Sequence, residues 1–332
     1  MKPNSGPAIR PQDFSTIRAS VIRQVLRLID EADGNADQLL RGQEIRRTEV
    51  DDPYALVSMS RYLAIFEQAA VSLDDAVLGA RLGTRAKPAD LGPLGLLFAT
   101  APSIRAGLSH TIRYLAVLQN GTTSGIVEEN DVLLYRYKVD YQSLWPRRQD
   151  AEYTLACTCQ LIRDCFSNRW NPIEVQFEHS PSQDVTGLRR IFRAPVVFNQ
   201  PINCVVIDRK DADRQYREED RGLAAVLERH ISDLLANGET DVDLRSRARK
   251  VVSIYLGHKP ITVELVADEL GVTKRTLQRH LAAEGTSLRE LVNQHRCKIA
   301  QRYLSEGVHR GRVAHLLGYA DATAFWRSYK SW

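Results

Sequence analysis

The chain has 332 residues, a formal net charge of +4, and 43% hydrophobic and 26% charged residues. That length suggests about two domains, and that composition is globular, which excludes a disordered or collagen-like chain. No apolar run approaches the roughly 18 residues of a spanning helix, and the amino end lacks the layout of a secretory signal, which leaves a cytoplasmic protein as the expectation.

Residues 1–13 read as an unstructured leader. From Thr16 to Asp30, Ile17, Val21, Val25, Leu28 and Ile29 recur at helical spacing. Further helices are predicted over Leu56–Ala70, Asp74–Leu82, Leu91–Ala99 and Ser103–Val117, the last opened by Ser103 as N-cap. The period then changes: Thr122–Glu129 and Val132–Val139, separated by Asn130-Asp131, alternate as a β-hairpin. A helix over Asp150–Asn168 follows. Short strands are expected at Ile173–His179, Val196–Phe198 and Cys204–Ile207, punctuated by Pro172, Pro181, Pro195 and Pro201. A helix over Glu218–Ala236, stopped by Asn237-Gly238, closes an α+β body, and a short polar connector comes next. Leu223, Val226, Leu227, Ile231, Leu234 and Leu235 make that last helix a candidate homodimer seam.

The body carries no recognisable catalytic apparatus. GxSxG and HExxH are absent, and Gly92-Pro93-Leu94-Gly95 lacks the Lys-Ser/Thr of a phosphate loop, so it reads as a helix-entry loop. Tyr135, Tyr137, Trp145 and His179, with Trp170, are either core or the lining of an effector pocket. The five cysteines, Cys157, Cys159, Cys165, Cys204 and Cys297, are odd in number and sparse, which fits reduced thiols. Three of them crowd one predicted helix as small buried apolar groups or, less simply, a metal or redox cluster, but no His and no CxxC accompanies them. Neither a cofactor nor a metal is expected.

Cutting the chain near Asn237–Thr240 exposes a charge asymmetry. Residues 241–332 hold 16 Lys and Arg against 9 Asp and Glu, while residues 1–240 hold 29 against 32. A basic terminal module suits phosphate binding, although a solvated charged surface gives the same count. Within it, Val263, Val266, Ala267 and Leu270 form a helical stripe that Gly271 interrupts. Thr273 can cap a following helix whose Leu277 and Leu281 face inward, leaving Arg275, Gln278 and Arg279 outward. Arginine and amide side chains on one helix face are the groups that read base edges in the major groove or clamp phosphates.

The design repeats. Val313, Ala314 and Leu317 meet Gly318, and a further helix buries Phe325 and Tyr329 while Thr323, Trp326, Arg327 and Lys330 point away. Between the units one helix over Leu288–Ser305, 18 residues at 1.5 Å each, spans roughly 27 Å. Successive major grooves lie about 34 Å apart, so one chain can address two of them. The candidate DNA contacts are Thr273, Lys274, Arg275, Gln278 and Arg279 in the first unit, and Thr323, Trp326, Arg327 and Lys330 in the second. An architectural DNA-binding protein without sequence preference is the alternative, and an enzyme with a basic appendage is a third.

The tail resembles the DNA-binding domain of the AraC/XylS family of bacterial regulators over about 70 residues. The resemblance is carried by Ala267, Leu270, Gly271, Leu277, Arg279, Leu281, Gly285-Thr286-Ser287, Arg296, Ala300, Leu304, Val313-Ala314, Leu317-Gly318-Tyr319, Asp321, Phe325 and Tyr329. His280 stands where that family usually has Phe, and the family's closing Gly, Pro and Tyr-Arg are missing after Trp332, so either the chain is truncated or its second recognition helix is left open at the end. The body is similar to the family's arabinose-binding-type effector domain through Leu78–Gly83, Asp90–Gly95, Phe177–Pro181 and Phe192–Phe198. The resemblance implies residues 1–240 as an effector-binding and dimerisation domain, and 241–332 as an all-α domain with two helix-turn-helix units joined by a linker helix. It further implies a transcription activator whose partners are double-stranded DNA, a small-molecule effector and RNA polymerase.

Overall fold

The computed structural model describes residues 15–330 except 33, 141–143, 145, 182, 237–243, 257–259, 271, 306–308 and 320. The leader, Trp145, the Asn237-Gly238 stop and the Gly271 break lie outside the described residues. The chain divides into two compact units, Met1–Asn199 with Asn203–Gly238, and Gln200–Ile202 with Glu239–Trp332.

The first unit opens with β1 (Thr16–Arg18), a 3-10 turn (Ala19–Ile22), α1 (Arg23–Glu31), α2 (Ala36–Gly42), α3 (Arg47–Asp51) and β2 (Leu56–Ser58). The helical spacing from Thr16 therefore misplaces the first residues. They pair antiparallel with β2, Ile17 opposite Val57, and Thr16 N is held by Asn120 Oδ1 at 2.7 Å. Long-range pairing overrides a local period here. Next come α4 (Met59–Ser72), α5 (Leu78–Gly83), a 3-10 turn (Pro88–Leu91), α6 (Pro93–Thr100), α7 (Ile104–Tyr114) and a 3-10 turn (Leu115–Val117). Ser103 caps α7 by accepting from Ala106 N at 3.2 Å.

The hairpin forms as β3 (Thr122–Glu129) and β4 (Val132–Val139), with Asn130 in the left-handed region at φ 50°. Asparagine tolerates that conformation better than other non-glycine residues. Then follow α8 (Arg148–Cys165), β5 (Glu174–Gln176), α9 (Val185–Phe192), β6 (Val196–Val197), β7 (Asn203–Asp208), α10 (Arg209–Asp213) and α11 (Arg221–Ala236). The sheet order is β3-β4-β7-β5-β6, antiparallel except for β5 beside β6. Because side chains alternate along a strand, Leu133, Tyr135, Tyr137 and Val139 share one buried face of β4 with Val205 and Ile207 of β7 in the main core. Helix α8 packs across β4 and β7 and against α4 and α5. Its closest neighbour is α5, where Gly79 and Gly83 let the backbones approach; a Cβ on Gly79 would sit 2.0 Å from Gln149 O.

The α11 stripe does not face outward as a whole. Ala224 and Ile231 are buried, and Leu227, Leu234 and Leu235 are half-buried, in a cluster with Leu94, Leu97, Tyr114 and Val117. Only Leu223 and Val226 of the stripe stay exposed. Four of the six stripe residues, Leu227, Ile231, Leu234 and Leu235, are thus spent on the helix's own unit.

The second unit contains α12 (Leu244–Tyr255), α13 (Val263–Leu270), α14 (Lys274–Ala283), α15 (Leu288–Ser305), α16 (Arg310–Leu316) and α17 (Ala322–Lys330). The polar connector expected directly after Asn237-Gly238 lies outside the described residues, and α12, not expected from the sequence, begins at Leu244. Its Ala248, Val251 and Val252, with Leu256 just past its end, are buried at helical spacing, a stripe obscured by the arginines that precede it. Together with α13, α14 and α15 it builds the core of the first helix-turn-helix.

Candidate functional site

The second unit presents its polar side chains on well-capped helices. Thr262 Oγ1 accepts from Leu265 N at 3.2 Å, Thr273 Oγ1 from Thr276 N at 3.1 Å, Ser287 Oγ from Glu290 N at 3.2 Å, and Asp321 Oδ1 from Ala324 N at 2.7 Å. Such caps satisfy amides left free at each helix start. At the other end of α13, Arg247 Nη2 donates to Leu270 O at 3.1 Å. The first helix-turn-helix is therefore fixed by polar contacts at its turn as well as by its core.

On α14, Leu277 and Leu281 are buried, whereas Thr273, Lys274, Arg275, Gln278, Arg279 and His280 are exposed. One face thus docks the helix while the opposite face offers two guanidiniums and an amide to solvent. Lys274 departs from this pattern: its Nζ pairs with Glu264 Oε1 at 2.5 Å across the turn, which holds the Glu264 carboxyl below its usual range. Its charge is shared with α13.

On α17, Phe325 is buried, and Thr323, Arg327 and Lys330 are exposed. Trp326 does not simply point away. It is half-buried, stacked on Tyr329 with centroids 5.4 Å apart and 21° between planes, and Arg310 lies 4.6 Å over its ring. Tyr329, expected in the core, is likewise half-buried. Aromatic pairs favour such offset contacts, so the two rings cover each other at the edge of the helix.

In the first unit, α4, α6, α7, α8, β1, β4 and the three 3-10 turns line a cavity of about 60 Å³, several times what one water requires. Helix α8 lines it with Tyr153, Thr154, Cys157, Thr158 and Leu161, one helical stripe. Strand β4 adds Tyr135 and Tyr137, α4 adds Tyr62, and α6 adds Leu94, Gly95 and Phe98. Gln119, Leu108 and Thr111 are also on its wall. No Asp, Glu, Lys, Arg or His lines it among the described residues.

Behind the two phenols sits a buried carboxylate. Tyr62 Oη donates to Asp150 Oδ1 and Tyr137 Oη to Asp150 Oδ2, both at 3.0 Å. Burial pushes the Asp150 carboxyl up to about 6, against the pull of both phenol hydrogen bonds and the Arg147 charge. Gln119 Nε2 donates to Thr122 Oγ1 at 3.0 Å and to Tyr137 Oη at 3.4 Å.

Of the residues expected to form an effector pocket, Tyr135 and Tyr137 meet at this cavity and His179 does not. His179 stacks on Phe177, with centroids 4.8 Å apart, and its Nδ1 lies 2.8 Å from Ser180 O. Trp170 is buried in the core away from the lining. Asp150, Tyr62 and Gln119 were not singled out from sequence. Asp150 is the acidic residue in the first turn of α8, where the helix dipole favours a negative charge, and that position was its one local signal. The cysteines Cys157, Cys159, Cys165, Cys204 and Cys297 are all unpaired, and no cluster of His, Cys, Asp or Glu able to hold a metal occurs among the described residues. Nor is any helix among them long and apolar enough to cross a membrane.

An α+β body with a cavity, followed by a helical unit whose capped helices expose Arg275, Gln278 and Arg279 on α14 and Arg327 and Lys330 on α17, has the surface chemistry of a DNA-binding protein. The arabinose-binding domain of AraC transcription regulator, N-terminal, matches residues 34–216, and a helix-turn-helix domain matches residues 266–332. The chain belongs to the AraC family of transcription regulators. It is 26% identical over 282 residues to the HTH-type transcriptional regulator VirS of Mycobacterium tuberculosis, covering 84% of this chain and 82% of that one. It is 21% identical over 336 residues to the ornithine utilization regulator of Pseudomonas aeruginosa, covering 97% and 96%. Among solved structures, the transcriptional regulator CdpR of Pseudomonas aeruginosa aligns over 89% of this chain and 93% of that one, at 19% identity and a TM-score of 0.43.

Proposed function

We propose that residues 241–332 read a specific duplex sequence through α14 and α17, and that residues 1–240 bind a small effector in the cavity beside Asp150, activating transcription. The observation that carries the reading is the division of α14. Its Leu277 and Leu281 are buried while Arg275, Gln278 and Arg279 stand exposed on a Thr273-capped helix. Arginine can bond guanine edges bidentately and glutamine adenine edges, whereas Thr273 and Lys274 at the helix start suit phosphate oxygens. On α17, Thr323, Arg327 and Lys330 play the corresponding parts, with Trp326 giving an apolar edge.

Helix α15 supports a two-groove mode. Its 18 residues give a spacer of about 27 Å, to which the widths of the flanking units add, against about 34 Å between grooves. RNA polymerase is the natural further partner of an activator. A homodimer, if formed, has only Leu223 and Val226 of the α11 stripe left exposed to use.

The test is selection of preferred duplexes from a random pool by the full chain, followed by competition anisotropy. A selected site should outcompete random duplex by at least ~10³ at physiological salt. Equal competition by random duplex would assign the chain to non-specific architectural binding instead.

A further inference from the structure

Arg310 stands on α16, outside the set of DNA contacts expected from sequence, and its surroundings single it out. Its guanidinium lies 4.6 Å over the Trp326 ring, and Trp326 in turn stacks on Tyr329 with centroids 5.4 Å apart and 21° between planes. Tyr329 leans on the buried Phe325 at 5.6 Å. Core ring, phenol, indole and guanidinium thus form one ladder from the inside of the second helix-turn-helix to its surface. Trp326 and Tyr329 are half-buried, but Arg310 is exposed.

The ring engages the charge of the guanidinium and not its five N–H donors. Among the described residues no carboxylate pairs with Arg310, in contrast to Lys274, whose charge is shared with Glu264. Arg296 also lies over a ring, 4.8 Å from the Tyr319 centroid, but it is half-buried rather than exposed. Arg310 is therefore a held cation at the surface with its donors unoccupied. A planar fork of N–H groups matches the oxygens of a phosphate. Helix α16 is the first helix of its helix-turn-helix, the one that crosses the duplex backbone while the second lies in the groove. A phosphate, rather than a base edge, is what Arg310 can reach from there.

We propose that Arg310 clamps a backbone phosphate of duplex DNA and that Trp326 is its positioning residue, acting mainly by holding the guanidinium in place. This rests on the reading of the second unit as DNA-facing and adds a contact outside α17. A restrained arginine has less rotamer freedom to lose on binding than a mobile one. The ladder therefore raises affinity while carrying no sequence information of its own.

The full chain and its variants are titrated with the selected duplex and with random duplex by anisotropy over a range of salt, and each is melted calorimetrically. Arg310→Ala should melt normally, lose at least ~10-fold in affinity for both duplexes alike, and lower the salt slope by about 0.9. Arg310→Lys keeps the charge but not the fork, so it should retain the slope and recover only part of the affinity. Trp326→Phe should bind close to wild type, whereas Trp326→Leu should weaken both duplexes at an unchanged slope. Most of the Trp326→Leu loss should vanish in the Arg310→Ala background, which a separate structural role for the indole would not produce. Should Arg310→Ala melt early, Arg310→Gln takes its place as the neutral variant. Wild-type affinity and slope in Arg310→Ala, a loss confined to the selected duplex, or a Trp326→Leu loss of equal size in both backgrounds would each overturn the proposal. A wild-type chain that binds random and selected duplex equally sinks the sequence-specific reading and leaves the clamp standing; a selective wild type with an indifferent Arg310→Ala sinks the clamp alone.

Discussion

Glu152 Oε1 lies 3.6 Å from His179 Nε2, and both side chains are sealed from solvent. Burial pushes the Glu152 carboxyl up to about 8, with Arg148 pulling it down and Glu67 and Asp75 pushing it further up. Burial also pushes His179 down to about 4, against its hydrogen bond to Ser180 and the charge of Glu178. At neutral pH the pair is therefore a carboxylic acid facing a neutral imidazole.

The pH consequence follows from the signs of the two shifts. The raised Glu152 contributes stability that is complete below its unfolded value near 4.5 and is lost as pH rises through about 8. Asp150, raised from 3.8 to about 6, acts in the same direction over a lower window. His179 opposes them, because its contribution is complete above 6.5 and is lost as pH falls through about 4. The melting temperature of the full chain should thus decline between pH 6 and pH 9. Glu152→Gln, which cannot ionise, should flatten that decline by roughly 1–3 kcal/mol at pH 9 and have little effect at pH 5. A parallel decline in wild type and variant, read by calorimetry, would contradict it.

A second buried pair should behave differently because both its members are charged. Arg147 Nε and Nη2 donate to the two oxygens of Glu178 at 2.7 and 3.0 Å, and Arg147 Nη1 donates to Val139 O at 2.9 Å. The arginine thereby ties the start of α8 to the end of β4 and to the residue after Phe177. Arg147→Met leaves Glu178 buried without its cation, at a cost of about 3–5 kcal/mol. The double variant Arg147→Met with Glu178→Leu should recover part of that loss, because the stranded charge is gone. Calorimetric melts of the two singles and the double provide the cycle, and a double variant less stable than Arg147→Met by the full Glu178→Leu effect would rule out coupling.

The α5–α8 contact gives a prediction about two glycines. A Cβ at Gly79 would meet Gln149 O at 2.0 Å and Gln149 C at 2.8 Å, and backbone cannot move aside as a flexible side chain can. Gly79 N also donates to Gln149 Oε1 at 2.7 Å. Gly79→Ala should therefore cost about 3 kcal/mol or more. Gly42, in α2, has no atom within 4 Å of the equivalent position, so Gly42→Ala should be neutral or gain up to about 1 kcal/mol. Equal melting temperatures for the two variants would show the α5–α8 interface to be plastic.

These contacts mark the boundary of what the amino-acid order reveals. The hairpin ends at Glu129 and resumes at Val132 as its alternation dictates, and α15 runs from Leu288 to Ser305 along its stripe, because each signal is local and strong. Thr273 is legible as a cap because it stands one residue before the helix it closes. By contrast, Asp150 meets Tyr62 across 88 positions and Tyr137 across 13, and no period links them. Helix α12 was missed because its arginines dilute the apolar stripe, and α9 because residues on either side carry strand and turn signals. The cavity arises where four helices, two strands and three 3-10 turns fail to fill space together, which pairwise spacing does not encode.

Separating folding from recognition in α14 requires three side chains. Thr273→Ala removes the cap on Thr276 N and should lower stability by about 1 kcal/mol. Leu281 is 1% exposed, so Leu281→Ala should cost about 2–5 kcal/mol by leaving a cavity, with DNA binding lost through unfolding. Arg279 is exposed on the opposite face, so Arg279→Ala should leave the melting temperature unchanged. If it reads a base, that variant should lose ~1–3 kcal/mol of affinity for the selected duplex and relax specificity at one position; if it holds a phosphate, the loss should be uniform across sequences and the salt slope should fall by about 1. Anisotropy titrations over a range of salt distinguish the two. An Arg279→Ala chain that melts normally and binds the selected duplex at wild-type affinity, with an unchanged salt slope, would exclude that face of α14 from the interface.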